Sequence, residues 1–266
     1  MQKFSLVIIF LILFGTGFAQ KDQVKFQIET PMGIMKGVLY NDTPQHRDNF
    51  IKLVKEGWYD DSPFHRIIKD FMIQGGGNKD GRPDPGYKIP AEFLPKKHIH
   101  KKGALAAARM GDNVNPTKAS SGSQFYIVQG RIISDAQLNQ MEQKINQTAQ
   151  GKLIKEYITR PENMSLYQKI DSLQRCRNVA ALNSCAQDIL VKMEAEGETE
   201  SLFKYSEEQK AIYRTIGGTP HLDGGYTVFG EITEGLEVID KLAAVPTAGA
   251  NKPIETISMK ITILNN

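Results

Sequence analysis

The chain has 266 residues, of which 33 are lysine or arginine and 30 aspartate or glutamate, leaving a net charge of +3. The basic residues are scattered, which speaks against nucleic-acid binding, since that needs a clustered basic face. A hydrophobic content of 40% is enough to bury a real core in one large domain or two small ones.

The N-terminus stands apart. Lys3 precedes an apolar run from Leu6 to Phe14, and Gly17-Phe18-Ala19 lead into Gln20. This is the layout of a secretory signal peptide over residues 1–19, cut after Ala19. A retained membrane anchor is the alternative, but the run is shorter than the ~20 apolar residues that span a bilayer. No cysteine follows the small residues, so a lipid-modified start is not expected, and no later segment is apolar enough to cross. The mature chain is expected to be exported, periplasmic in a Gram-negative host and secreted in another, without stable membrane association.

Val24–Thr30 and Gly33–Leu39 read as two strands around a Pro31-Met32-Gly33 turn. A helix follows, with Thr43 as N-cap, Pro44 at the first helical position, Phe50, Leu53 and Val54 at core spacing, and Gly57 as the stop. Phe64–Ile68 and Phe71–Gln74 are strand-like, and a loop rich in glycine and proline covers Gly75 to Phe93. "GALAAAR" and "SQFYIVQ" are two further strands. From about Arg131 to Ile216 the texture becomes helical. Ser134 caps a helix carrying Leu138, Met141 and Ile145, and Pro161 marks a break. A second helix carries Leu166, Ile170 and Leu173, a third runs from about Ser184 to Glu196, and a Ser206/Gln209 capping box opens a fourth. β texture returns in "YTVFGEI", then a short helix at "GLEVIDKLA" and a last strand in "IETISMKITIL". The expected organisation is one discontinuous β domain, 20–130 and 217–266, interrupted by a helical insertion, 131–216. Cys176 and Cys185 are either bridged or free; a bridge requires a turn near Asn183-Ser184, because one continuous helix would hold them roughly 13 Å apart.

The chemistry concentrates in "FHRIIKDFMIQGGG", Phe64 to Gly77. An arginine and a glutamine stand among aromatic and aliphatic residues, with no cysteine or serine as nucleophile, and Asp70 alone beside Lys69. Such a stretch offers a fixed positive charge next to an apolar pocket. Together with "SSGSQFYIV" and "HLDGGYTVFGEI", in that order, it resembles the three signature regions of the cyclophilins, the cyclosporin-binding class of peptidyl-prolyl cis–trans isomerases. The resemblance covers about Val24–Gly130 and Gly217–Ile263 and leaves the helical insertion without explanation.

The resemblance implies a mainly β fold, a closed eight-stranded antiparallel barrel capped by two helices. It also implies rotation about X–Pro amides in proline-containing segments of unfolded or exported proteins. No covalent bond changes in that reaction, so no cofactor and no metal are expected. By matched position Arg66 is the catalytic arginine, and Gln74 and Gln124 orient it and bind substrate backbone. Phe71 and Met72 floor the proline pocket, and Tyr126, Leu222 and Tyr226 complete it. Ala108 and Arg109 lie on the edge that pairs with the bound peptide, and His221 stands where strong cyclosporin binders carry tryptophan. Tyr126 replaces a phenylalanine, Arg109 an asparagine and Tyr226 a histidine of the common pattern, which implies retained catalysis and weakened cyclosporin binding. A different class of reading is a non-catalytic proline-peptide-binding or chaperone module on the same barrel. His98 and His100 in "HIHKKG" read as a solvated turn, not a metal site.

Overall fold

The computed structural model describes residues 22–82, 84–199 and 202–264; the expected signal segment lies outside them. The first six strands are β1 (Val24–Thr30), β2 (Gly33–Leu39), β3 (Ser62–Pro63), β4 (Arg66–Ile68), β5 (Met72–Gly75) and β6 (Lys88–Ile89). They are followed by β7 (Ala104–Ala107), β8 (Ser120–Ser121), β9 (Phe125–Val128), β10 (Val228–Glu234) and β11 (Ser258–Leu264). Nine of these form one antiparallel sheet in the order β3-β11-β1-β2-β10-β7-β9-β5-β4, while β6 and β8 pair separately.

This corrects the expectation of a closed eight-stranded barrel. The sheet is curled and its ladder is open: the end strands β3 and β4 are successive pieces of one segment, interrupted at Phe64-His65. There the backbone changes partner. The Phe64 N–H donates to the Ile257 carbonyl, next to β11, and the His65 N–H to the Gln74 carbonyl on β5. The two ends are thus joined through the chain, not through a ladder of hydrogen bonds.

The core fills the concave side. Phe26, Ile28, Ile73, Leu105 and Ile127 are fully buried there and meet Phe50 and Leu53 of α1 (Pro44–Lys55). The sheet-capping helices were expected to be two. Val238, Ile239 and Leu242 of the C-terminal helix Leu236–Ala243 join the same core as α1. Thr43 does occupy the N-cap of α1, but its hydroxyl makes no capping bond. Glu92 supplies it instead, accepting from the Gln45 and His46 N–H groups at 3.1 and 3.0 Å, a placement of negative charge that the helix dipole favours.

The insertion contains α2 (Asp135–Ile158), α3 (Met164–Arg175), α4 (Val179–Ala195) and α5 (Glu207–Thr215), so that the C-terminal helix is α6 (Leu236–Ala243). The expected capping box is present at Ser206/Gln209, and Ser134, expected as a cap, forms a second box with Gln137. Helix α4 begins at Val179, earlier than the expected Ser184, and the chain turns at Arg177-Asn178 rather than at Asn183-Ser184. Cys185 is buried in α4, Cys176 is exposed after α3, and both are free. Two apolar clusters organise these helices. One, near the barrel, joins Ile99 to Ile133, Leu138, Tyr205 and Tyr213. The other, farther along α2, joins Tyr157 to Ile170, Cys185, Ile189 and Met193.

The insertion leaves and rejoins the barrel at one narrow point. Arg131 and Lys101 both form bridges to Gly218. A Cβ on Gly218 would lie 2.3 Å from the His100 carbonyl oxygen and 2.6 Å from the Tyr213 ring. Gly218→Ala is therefore expected to lower stability by about 1–3 kcal/mol, as overpacking of a filled core does, measured as a shift of the urea unfolding midpoint.

Candidate active site

Register places the site. Ile67, Ile73, Ile127 and Leu105 oppose one another across β4, β5, β9 and β7, and all four are buried in the core. Side chains alternate along a strand, so the neighbouring row, Arg66, Gln74, Tyr126 and Ala106, faces the convex side. A second apolar layer covers that side, built on Met72, Tyr126, Val128 and Val228, with Phe71, Leu222 and Tyr226 packed against it.

Within this layer lies a cleft of about 90 Å³, which brings together nine of the eleven residues expected at the site. Arg66 and Gln74 form its polar side; Phe71, Met72, Tyr126 and Leu222 its apolar side; and Ala108, Arg109 and Tyr226 complete the lining. The Arg66 Nη1 donates to Gln74 Oε1 at 3.1 Å, and Gln74 Nε2 donates to Gln124 Oε1 at 3.1 Å. Gln124 thus reaches the cleft through Gln74. His221 does not line it. Its ring packs against the Phe71 ring at 5.4 Å between centroids and borders a neighbouring cleft.

The family model described as "Cyclophilin type peptidyl-prolyl cis-trans isomerase/CLD" matches residues 24–181 and 207–263. The chain belongs to that family. The match runs through α2 and α3 as well as the barrel. A relative from Staphylococcus epidermidis, named "Putative peptidyl-prolyl cis-trans isomerase", is 30% identical over 241 residues, covering 88% of each chain. A second, from Streptococcus pyogenes and named "Putative bifunctional phosphatase/peptidyl-prolyl cis-trans isomerase", is 30% identical over 240 residues. That match covers 88% of this chain and 37% of the longer streptococcal protein. Among solved structures, a Cryptosporidium parvum cyclophilin type peptidyl-prolyl cis-trans isomerase superposes with a TM-score of 0.51 at 21% identity, covering 92% of this chain and 99% of its own. A structure of the same protein in the presence of the dipeptide Ala-Pro gives 0.50 at 20% identity, covering 91% and 99%.

This cyclophilin departs from the expected site at three places. The Ala108 N–H donates to the Gln124 carbonyl, and the Ala108 carbonyl accepts from the Ser121 N–H, so Ala108 is itself paired within the protein, and a peptide's main chain would meet the backbone of Arg109 on the other edge. Arg109, expected to add charge at the rim, is pinned. Its Nε donates to the Gly225 carbonyl at 2.6 Å and its Nη1 to Asp112 at 2.7 Å, the guanidinium lies 4.4 Å from the Tyr226 ring centroid, and the side chain is 5% exposed. The bond from Arg109 holds the Asp112 carboxyl below its ordinary range.

The third departure is beneath Tyr126. Its hydroxyl meets His100 Nε2 at 3.0 Å. On the other side of the ring, Nδ1 is 2.6 Å from Asp223 Oδ1, which also accepts the His100 N–H at 2.8 Å. Asp223 Oδ2 accepts from the hydroxyls of Tyr205 and Tyr213 at 2.7 and 2.5 Å. His100 is 1% exposed, which corrects the reading of "HIHKKG" as a solvated turn; His98 stacks on Tyr40 and pairs with Asp42. Burial, reinforced by the Asp223 charge, pushes the Tyr205 and Tyr213 hydroxyls well up, and burial does the same for Tyr126. All three therefore remain protonated donors. The sequence carried a signal for this hub, since Asp223 follows Leu222 in one of the family blocks, but its partners lie far away in the chain. Asp223→Ala would strand the imidazole and two phenols without their acceptor. The expected loss is about 3–5 kcal/mol, the usual cost of breaking a buried charged network, and denaturant unfolding would measure it.

Proposed function

We propose that this cyclophilin turns X–Pro bonds in proteins exported with it, using Arg66 as the catalytic group. The observation that carries the reading is the guanidinium held by Gln74 and Gln124 at the polar side of an apolar cleft. The export half of the proposal rests on the N-terminal sequence alone: a basic residue, a short apolar run and a small-residue end.

Amide resonance imposes a barrier of ~18–20 kcal/mol on the rotation. Double-bond character falls as the prolyl nitrogen recovers its lone pair, and a cation donating a hydrogen bond to that nitrogen stabilises the twisted amide. The cleft is small, about 90 Å³, and its apolar side can take the ring of a proline. Phe71, Met72, Tyr126 and Leu222 grip the ring while the acyl side turns. Lowering the barrier by roughly 7 kcal/mol would give about five powers of ten in rate, and preorganised charge in a dry site is the effect able to supply it. A pure proline-peptide binder would need the apolar cleft but not an arginine held in this way.

Arg66→Ala is expected to lower kcat/KM at least about 100-fold, comparable to deleting one preorganised donor, in a proline-peptide isomerisation assay. Arg66→Lys should restore little of it, because the ammonium lacks the planar fork. Unchanged activity in Arg66→Ala would overturn the mechanism.

The same reading fixes the pH dependence. Burial, with the Arg66 charge added, lowers the His65 pKa, and burial lowers that of His221. Both imidazoles are therefore neutral above their ordinary pKa of about 6.5. The rate should be flat between about pH 7 and about pH 9, and a bell-shaped profile would show that a proton-transfer group had been missed. With His221 outside the cleft, inhibition by nanomolar cyclosporin is not expected.

A further inference from the structure

A second cleft opens on the far side of Phe71. Its volume is about 300 Å³, against about 90 Å³ for the proline cleft. One wall belongs to the barrel, Ile68 and Phe71 with His221, and the other to the insertion, Ile133 and Met141 with Gln137. Phe71 lines both clefts, so a chain seated in one is a single ring's thickness from the other. The walls are also held in register. The Asp223 carboxylate ties insertion residues Tyr205 and Tyr213 to His100 of the barrel, and the close approach at Gly218 leaves the stem no slack. The space is therefore a built feature of the fold.

We propose that this cleft is a second substrate subsite, which takes a large apolar side chain of the same peptide two or three residues from the proline. The proposal rests on the reading of the Arg66 cleft as the isomerisation site. Two or three extended residues span roughly 7–11 Å, enough to pass the Phe71 ring. Ile68, Phe71, Ile133, Met141 and Pro220 give the cleft an apolar face, with Asp70 and Arg131 as charged groups beside it, so a leucine or phenylalanine placed against that face would lose its hydrated surface. The insertion then acts as a specificity element: the barrel alone would recognise proline, and the barrel with the insertion would recognise proline in an apolar context.

The test is a series of peptides built on an all-alanine frame around one proline. Leucine or phenylalanine is placed two or three residues before or after the proline. KM is measured by isomerisation and Kd by calorimetry, with the full chain and with Met141→Lys. One placement is expected to lower KM and Kd about tenfold relative to the alanine frame, the scale of burying one such side chain, with kcat little changed. In Met141→Lys the leucine-to-alanine ratio should fall toward one. A flat series in the natural protein overturns the proposal, and so does an undiminished ratio in a folded Met141→Lys. If that variant fails to fold, the natural protein's series decides. Turnover without selectivity counts against the second cleft alone. Selective binding without turnover counts against the catalytic reading and supports the cleft.

Discussion

The site depends on the pairing of β4, β5, β9 and β7 in one register. Because side chains alternate, the row Ile67-Ile73-Ile127-Leu105 faces the core and the row Arg66-Gln74-Tyr126-Ala106 faces out. A slip of one residue would drive a guanidinium and an amide into the hydrocarbon interior and expel isoleucines, so hydrophobic burial enforces the alignment of Arg66 with Gln74. The interruption at Phe64-His65 serves the same end. It lets the segment pair with β11 before the break and with β5 after it, which fixes Arg66 opposite Gln74 and leaves the two ends of the sheet unpaired with each other.

Much of this was legible in the sequence because the signals were local. The alternation in "VKFQIET", the Pro44 start of α1, the Ser134 cap and the Ser206 capping box each act within one turn or one strand. The three family blocks supply seven of the nine cleft residues, and Ala108 and Arg109 directly follow β7, between the first two blocks. What escaped was long-range. The open ladder is not legible, because nothing local in Phe64-His65 says which strand each N–H will find. The cap of α1 comes from Glu92, 46 residues from His46, and no N-terminal pattern reveals that. His100 looked solvated beside lysines, because its burial is produced by Asp223 and two tyrosines more than a hundred positions onward.

The Asp223 hub ties the helical segment between β9 and β10 to the curled sheet. A tyrosine at position 126 puts a hydroxyl under an apolar floor, where an unpaired polar group is costly. His100 satisfies it, and Asp223 satisfies His100. The carboxylate then needs further donors, which Tyr205 and Tyr213 provide from the insertion. Buried networks of this kind are stabilising only when complete. The polar floor of the proline cleft and the seating of the helical insertion are therefore one structural problem with one solution.

The two arginines of the cleft differ in what holds them. Arg109 donates to Asp112 and to two backbone carbonyls while lying over Tyr226. A carboxylate partner cancels most of its field, and the remaining bonds fix it as a wall. Arg66 is oriented by Gln74, itself oriented by Gln124. An amide accepts a hydrogen bond without contributing a countercharge, so the chain Arg66-Gln74-Gln124 sets direction while leaving the positive charge intact. An amide nitrogen regaining its lone pair needs that combination: a donor aimed in advance, in a place with little water, with no anion competing for it.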